Sequence, residues 1–117
     1  MRVSNYAIMT AGDLSQATVA STAVILDQVF MYAIQAVITG SPVGSIKLQV
    51  SNDFDPANPT TTQPTNWTDV TSSVTAISSA TSVVWEDGDS TYRWVRVLYT
   101  KTSGTGACTI RINTRGI

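Results

Sequence analysis

Three carboxylates, Glu86, Asp87 and Asp89, crowd the segment WEDGDS, and two more, Asp53 and Asp55, flank Phe54 in SNDFDPANP. Carboxylates one or two residues apart in a turn supply some of the roughly six to eight oxygens that a calcium ion takes. Neither group has the spacing of an EF-hand calcium loop. A solvated hairpin tip accounts for Glu86 to Asp89, and an Asp at the start of a loop ordinarily caps its own backbone, so no metal is expected. Paired carboxylates also hydrolyse glycosides. That chemistry needs one carboxyl raised by an apolar pocket, and both groups stand on polar turns. Nucleophilic chemistry lacks a base: the chain has no histidine, the commonest general base. Lys47 and Lys101 remain, in no catalytic arrangement. The single cysteine, Cys108, lies in ACTIRI, where alternation with Thr109 makes it a small buried hydrophobe. With one cysteine, no internal disulfide can form. Asn66-Trp67-Thr68 spells a glycosylation sequon, which bears only on a secreted eukaryotic chain. No catalysis and no cofactor are expected.

The aromatic residues offer binding rather than reaction. Trp67, Trp85 and Trp94, with Tyr92 and Tyr99, suit either a sugar-stacking platform or the core of a small domain, where each ring buries roughly 150–250 Å². Trp67 opens a strand after a loop and Trp85 ends one, so both are expected to plug the ends of the core. Trp94 shares a strand face with Arg96 and Leu98, opposite the expected core face. An outer face with Trp, Tyr and Arg has the composition of a protein interface.

Strands must position these groups. The 117 residues suit one domain, with 43% hydrophobic and only 13% charged residues, against roughly 25% charged in an ordinary soluble domain. The polar surface therefore comes from Thr, Ser, Asn and Gln, a composition that suits pleated sheets and surfaces packed on neighbours. The net charge of −1 comes with no basic block, which excludes a phosphate-binding footprint and hence nucleic acid. No apolar run approaches the ~20 residues of a membrane span. The N-terminal stretch has no secretory pattern, so assembly in a cytoplasm is expected. In VFMYAIQAVITG, residues 29 to 40, Tyr32, Ile34, Ala36 and Ile38 take one face. The other is also largely apolar, which predicts a central strand covered on both sides. A Gly-Ser-Pro turn leads to SIKLQVS, with Ile46, Leu48 and Val50 inward, so residues 29 to 51 read as an antiparallel hairpin. Short strands are predicted in NWTDV, Val74 to Ile77 and Ser82 to Trp85. YRWVRVLYTK, residues 92 to 101, puts Val95, Val97 and Tyr99 on one face. A Ser-Gly-Thr-Gly hairpin returns the chain into ACTIRINTR, with Cys108, Ile110 and Ile112 inward. Residues 1 to 20 read as an arm or edge strand, with a turn at Ala11-Gly12-Asp13, and residues 21 to 117 as a single domain. The predicted fold is all-β: an antiparallel, jelly-roll-like sandwich of about eight strands.

Residues 53 to 66 far exceed the usual hairpin loop of about 2–5 residues. Pro56, Pro59 and Pro64 stiffen this loop. It reads either as a contact arm toward a neighbouring subunit or as a solvent-exposed insertion. In both cases its removal is expected to leave the domain folded.

Two segments carry a resemblance. LQVSNDFDPANPTTTQPTNWTDV is similar to the strand–loop–strand of discoidin-like jelly rolls, with the loop expanded, and YRWVRVLYT to a strand near the end of that fold. From Gln28 to Gly116, the succession of the GSPVG turn, LQVSND, NWTDV, YRWVRVLYT and a Gly-Ser hairpin resembles small bacteriophage structural proteins. The resemblance implies a virion component without enzymatic activity, of the capsid decoration or cement type. Such a protein binds the major capsid protein or other virion subunits, usually as a dimer or trimer. Phe54, Pro56, Pro59, Pro64, Tyr92, Trp94 and Arg96 are the expected contact residues. The alternative is a head- or tail-fibre component, or a carbohydrate-binding module using Trp94, Tyr92 and the Asp and Asn groups of the loop.

Overall fold

Alternation of β-branched or aromatic residues with small polar ones builds nearly every element. The computed structural model describes residues 2–117. In chain order the strands are β1 (Arg2–Asp13), β2 (Thr18–Ala20), β3 (Val24–Ile25), β4 (Val29–Gly40), β5 (Val43–Ser51), β6 (Thr68–Asp69), β7 (Thr75–Ile77), β8 (Thr81–Asp87), β9 (Trp94–Ser103) and β10 (Gly106–Gly116), with one 3-10 turn at Thr71–Ser73. One sheet has the order β1-β10-β4-β8; the other has β2-β9-β5-β6, with β3 also on β9 and β7 also on β5. Every pairing is antiparallel.

The strands β2 and β3 follow one another along the same edge of β9, and β6 and β7 along the same edge of β5. Each pair is a single strand position broken in two. The ten segments thus fill eight positions, four per sheet, and the chain crosses between sheets at nearly every connection. This is a jelly-roll β-sandwich. No helix among the described residues is long and apolar enough to cross a membrane.

The predicted inward residues meet between the sheets. Ile34, Ala36 and Ile38 of β4 and Cys108, Ile110 and Ile112 of β10 face Ile46, Leu48 and Val50 of β5 and Val95, Val97 and Tyr99 of β9. Burying each large aliphatic side chain contributes about 1.5–3 kcal/mol relative to leaving it in water. Ile8 of β1 reaches the same core, and Leu14 just beyond it is fully buried. Cys108 lies in this interior, and its burial pushes the thiol pKa up to about 11. A thiol-specific reagent at pH 8 is therefore expected to leave the native protein unlabelled and to react on unfolding. Fast labelling of the native protein would contradict this placement.

The structure corrects several expectations. Residues 29 to 51 are not a hairpin, because β4 and β5 lie in opposite sheets, and β9 and β10 do likewise. A period of two states which residues face inward, and that holds equally for strands paired side by side and strands stacked face to face. The two corners lock together: Ser41 N–H donates to Thr105 O at 2.9 Å, Gly40 pairs with Gly106, and Pro42 is fully buried. Nor is β4 covered on its second face, where Val37 is 41% exposed and Gln35 is exposed. The first turn comes later than Ala11-Gly12-Asp13, because β1 runs to Asp13 and the Asp13 carboxylate then accepts the Ser15 N–H at 2.9 Å.

Candidate functional site: the folded-back loop and its cleft

The long loop joins β5 to β6, which pair with one another in the six-stranded sheet. It folds back over the outer face of that sheet, held by short polar contacts. The Asp53 carboxylate accepts backbone N–H groups from Thr65 at 2.8 Å and Asn66 at 3.0 Å, across the neck of the loop. Asp55 accepts the Ala57 N–H at 3.0 Å and the Thr62 hydroxyl at 2.8 Å. Both aspartates thus cap their own loop, as Asp in turns does.

Two arginines, Arg93 just before β9 and Arg96 within it, seat the loop. The Arg93 guanidinium lies 4.6 Å from the Phe54 ring centroid, and its Nη2 donates to Pro59 O at 2.6 Å. Its backbone N–H donates to Asn52 Oδ1 at 2.9 Å. The Arg96 guanidinium lies 4.4 Å from the Trp67 ring centroid, and its Nε donates to Gln49 Oε1 at 2.8 Å. Gln49 Nε2 in turn donates to Asp69 Oδ1 at 2.9 Å, and Lys47 bonds the other Asp69 oxygen at 2.8 Å. Arginine over an aromatic face combines dispersion with charge–quadrupole attraction, about 0.5–1 kcal/mol where exposed.

The expected contact residues are brought together but divided by burial. Phe54 is 59% exposed and Tyr92 is 40% exposed; Pro56 and Pro59 are exposed on the crest. Pro64 is buried, and Trp94 is only 2% exposed. Trp94 alternates with the core residues Val95 and Val97, so it points outward with Arg96, yet it is covered. It is absent from the core between the sheets, and its two neighbours Arg93 and Arg96 hold the loop and Trp67 on that side. Arg96 is half-buried within the same seat. Trp67 does not plug the core end; it stacks outside the sheet on Arg96. Trp85 does pack against the core, with its Nε1–H donating to Ser73 O at 2.9 Å.

Sequence reading missed Arg93, which ties the loop down from 34 residues away. Its only local signal is its place just before the strand, next to Trp94. Beside the loop opens a cleft of about 640 Å³ whose lining includes Asn52, Asp53, Asn66, Thr68, Asp69 and Tyr92. Hydrogen bonds from the backbone N–H of Asn66, then from that of Thr65, hold the Asp53 carboxyl below its ordinary value of 3.8. A carboxylate with a depressed folded pKa supports the loop above its unfolded pKa, and that support is lost as pH falls through the folded value. The amide proton shifts of Thr65 and Asn66 are therefore expected to be flat at neutral pH and to titrate with a midpoint below 3.8. A midpoint above 3.8 would mean that Asp53 does not hold the neck.

No protein-family model matches the chain, and no curated protein matches it. Solved structures do. The chain resembles the SPBc2 prophage-derived protein YomS, with a TM-score of 0.53 and 12% identity over 97% of this chain and 92% of that one. It also resembles part of tripeptidyl peptidase 2, with a TM-score of 0.54 and 12% identity over 97% of this chain and 10% of that one. A chitosan-binding module from a Paenibacillus chitosanase/glucanase aligns at a TM-score of 0.48 and 21% identity, over 95% of this chain and 92% of the module. At such identities the first two show a shared fold alone, and the third, below 0.5, supports no inference.

Proposed function

We propose that this chain is a non-catalytic structural protein of a bacteriophage virion, a capsid decoration protein that binds the major capsid protein or other virion subunits and stabilises the head. The observation that carries this reading is the folded-back loop. It presents Phe54 at 59% exposure beside Pro56 and Pro59 on a crest already fixed by Arg93, Asp53 and Asp55. A fixed crest loses little conformational freedom on binding, which is how preorganisation raises affinity. Beyond Asp53, Asp55 and Arg93, whose charged groups are engaged within the loop and its seat, the crest carries neutral Thr and Asn groups that hydrogen-bond without the penalty of desolvating charge. Binding to the assembled lattice and not to free subunits stabilises the particle by mass action, and several contacts per particle raise the apparent affinity. The prophage origin of YomS, whose fold matches along nearly its whole length, agrees with this reading. The protein acts as a homo-oligomer in it.

The test is reconstitution onto heads of its own phage that lack it. Wild-type protein is expected to bind at a fixed ratio and to raise the temperature at which heads lose DNA. Phe54→Asp is expected to weaken binding at least about tenfold while leaving the fold intact, as truncation of a central anchor does. Unchanged binding by Phe54→Asp would remove the loop crest from the contact, and absence of the protein from particles would remove the reading.

The polar cleft supports a second reading, a glycan-binding module on a fibre. Tyr92 at its rim and the Asp and Asn groups within it have the chemistry to stack on and hydrogen-bond a sugar. Buried Trp94 does not take part in that platform. Saturable glycan affinity lost in Tyr92→Ala, with no binding to heads, would favour this reading over the first.

A further inference from the structure

The four-stranded sheet ends in two bare edges. β1 pairs with β10 on one side; on the other, the backbone of residues 2 to 7 has no backbone partner among the described residues, until Thr22 N–H bonds Ile8 O at 3.0 Å. β8 pairs with β4 alone, so its far side is bare from Thr81 to Asp87. Proteins usually blunt such edges with lysine, proline, bulges or a covering segment. Residues 2 to 7 have neither lysine nor proline, and the bulges of β1 begin only after Ala7.

We propose that these two edges join between copies of this chain, residues 2 to 7 of β1 adding antiparallel to residues 82 to 87 of β8 in a second copy. Three features support this pairing, the third of them against its symmetric alternative. The first is direction: three antiparallel steps separate β1 from β8 in the sheet, so copies laid side by side in one orientation present these edges antiparallel. The second is side-chain parity. Val3, Asn5 and Ala7 share the outer face with Arg115, Asn113 and Arg111, and Ser82, Val84 and Glu86 share it with Val37, Gln35 and Ala33. Placing Arg2 opposite Asp87 keeps both outward sets on one continuous face. The same register sets half-exposed Tyr6 against Val83, and Ser4 against Trp85, on the inner face.

The third feature is charge. Arg2 is the lone charge of residues 2 to 12, and Glu86 and Asp87 make no ion pair among the described residues. Pairing β1 with β1 of another copy would leave these acids unmatched. The contact is head-to-tail, so copies form a ring if the rotation closes and a fibre if it does not. It uses neither the loop nor Phe54, and so stands apart from the proposed head contact.

Cysteines at Asn5 and Val84 test the pairing. In the proposed register these residues stand opposite on the outer face, with Cβ atoms about 4.5–5.5 Å apart. Within one chain β10 and β4 stand between them, roughly 14 Å of sheet, so any disulfide links two copies. Mild oxidation of Asn5→Cys/Val84→Cys is expected to give a ladder of covalent oligomers, and each single variant none. In sedimentation, Arg2→Glu and Asp87→Arg are each expected to weaken self-association at least about tenfold, and an equimolar mixture, in which both junctions between unlike chains are again of opposite charge, to recover the oligomers of the wild type. Dimers from Asn5→Cys alone would replace this contact with β1 on β1. No cross-linking by the double variant, or self-association indifferent to both charge reversals, would overturn the proposal.

Discussion

Trp94→Ala is expected to lower the free energy of unfolding by about 3–5 kcal/mol, the range for truncating a buried tryptophan. Against a total stability of about 5–15 kcal/mol, that is a large share. The argument rests on where the ring lies. Trp94 is 2% exposed and sits outside the core between the sheets, on the face where Arg96 stacks against Trp67. Removing a ring so deeply buried leaves a void that its surroundings fill only in part. Urea unfolding followed by circular dichroism measures the loss, with Phe54→Ala as comparator. Phe54 is 59% exposed, so its truncation is expected to cost under about 1 kcal/mol. Equal, small losses in the two variants would mean that Trp94 is not buried as placed. Deleting residues 56 to 64 removes buried Pro64 and the Pro59 carbonyl that Arg93 holds, so it is expected to lower stability as well as to remove the crest.

Gly104→Ala is expected to cost about 2–5 kcal/mol, from backbone strain and overpacking together. Gly104 has φ +79, a conformation that disfavours any side chain with a Cβ. An added Cβ would also press on the backbone carbonyl of Ser41 and the Cα of Pro42. That carbonyl belongs to the opposite corner, where β4 passes over to β5, so neither corner can shift without the other. Thermal unfolding monitored by calorimetry gives the test, with Gly88→Ala as control. Gly88 has open space around its Cα and no positive φ, so its replacement is expected to be neutral or stabilising by up to about 1 kcal/mol. Equal effects at the two positions would show that the corners are not interlocked.

The sequence by itself determined which residues face inward. Ile34, Ala36, Ile46, Leu48, Val95, Val97, Cys108 and Ile110 all lie where a period of two puts them, because side chains on a strand alternate faces whatever the strand pairs with. The sandwich class and a count of about eight strands followed from that period and the turn residues between runs, although NWTDV and Val74–Ile77 share one position and Val24–Ile25 carried no strand signal. Only the tertiary structure decided which strands are neighbours. Alternation is blind to partner choice, so GSPVG and SGTG, which read as hairpin turns, are instead interlocked corners between sheets. The candidate site divided the same way. The loop was visible from its length and prolines, and its aspartates from their turn chemistry. That Trp94 is buried while Phe54 is open, and that Arg93 holds the loop, depended on contacts between residues dozens of positions apart. A strand's outward face is exposed or covered according to what the rest of the chain lays over it, and no local pattern encodes that.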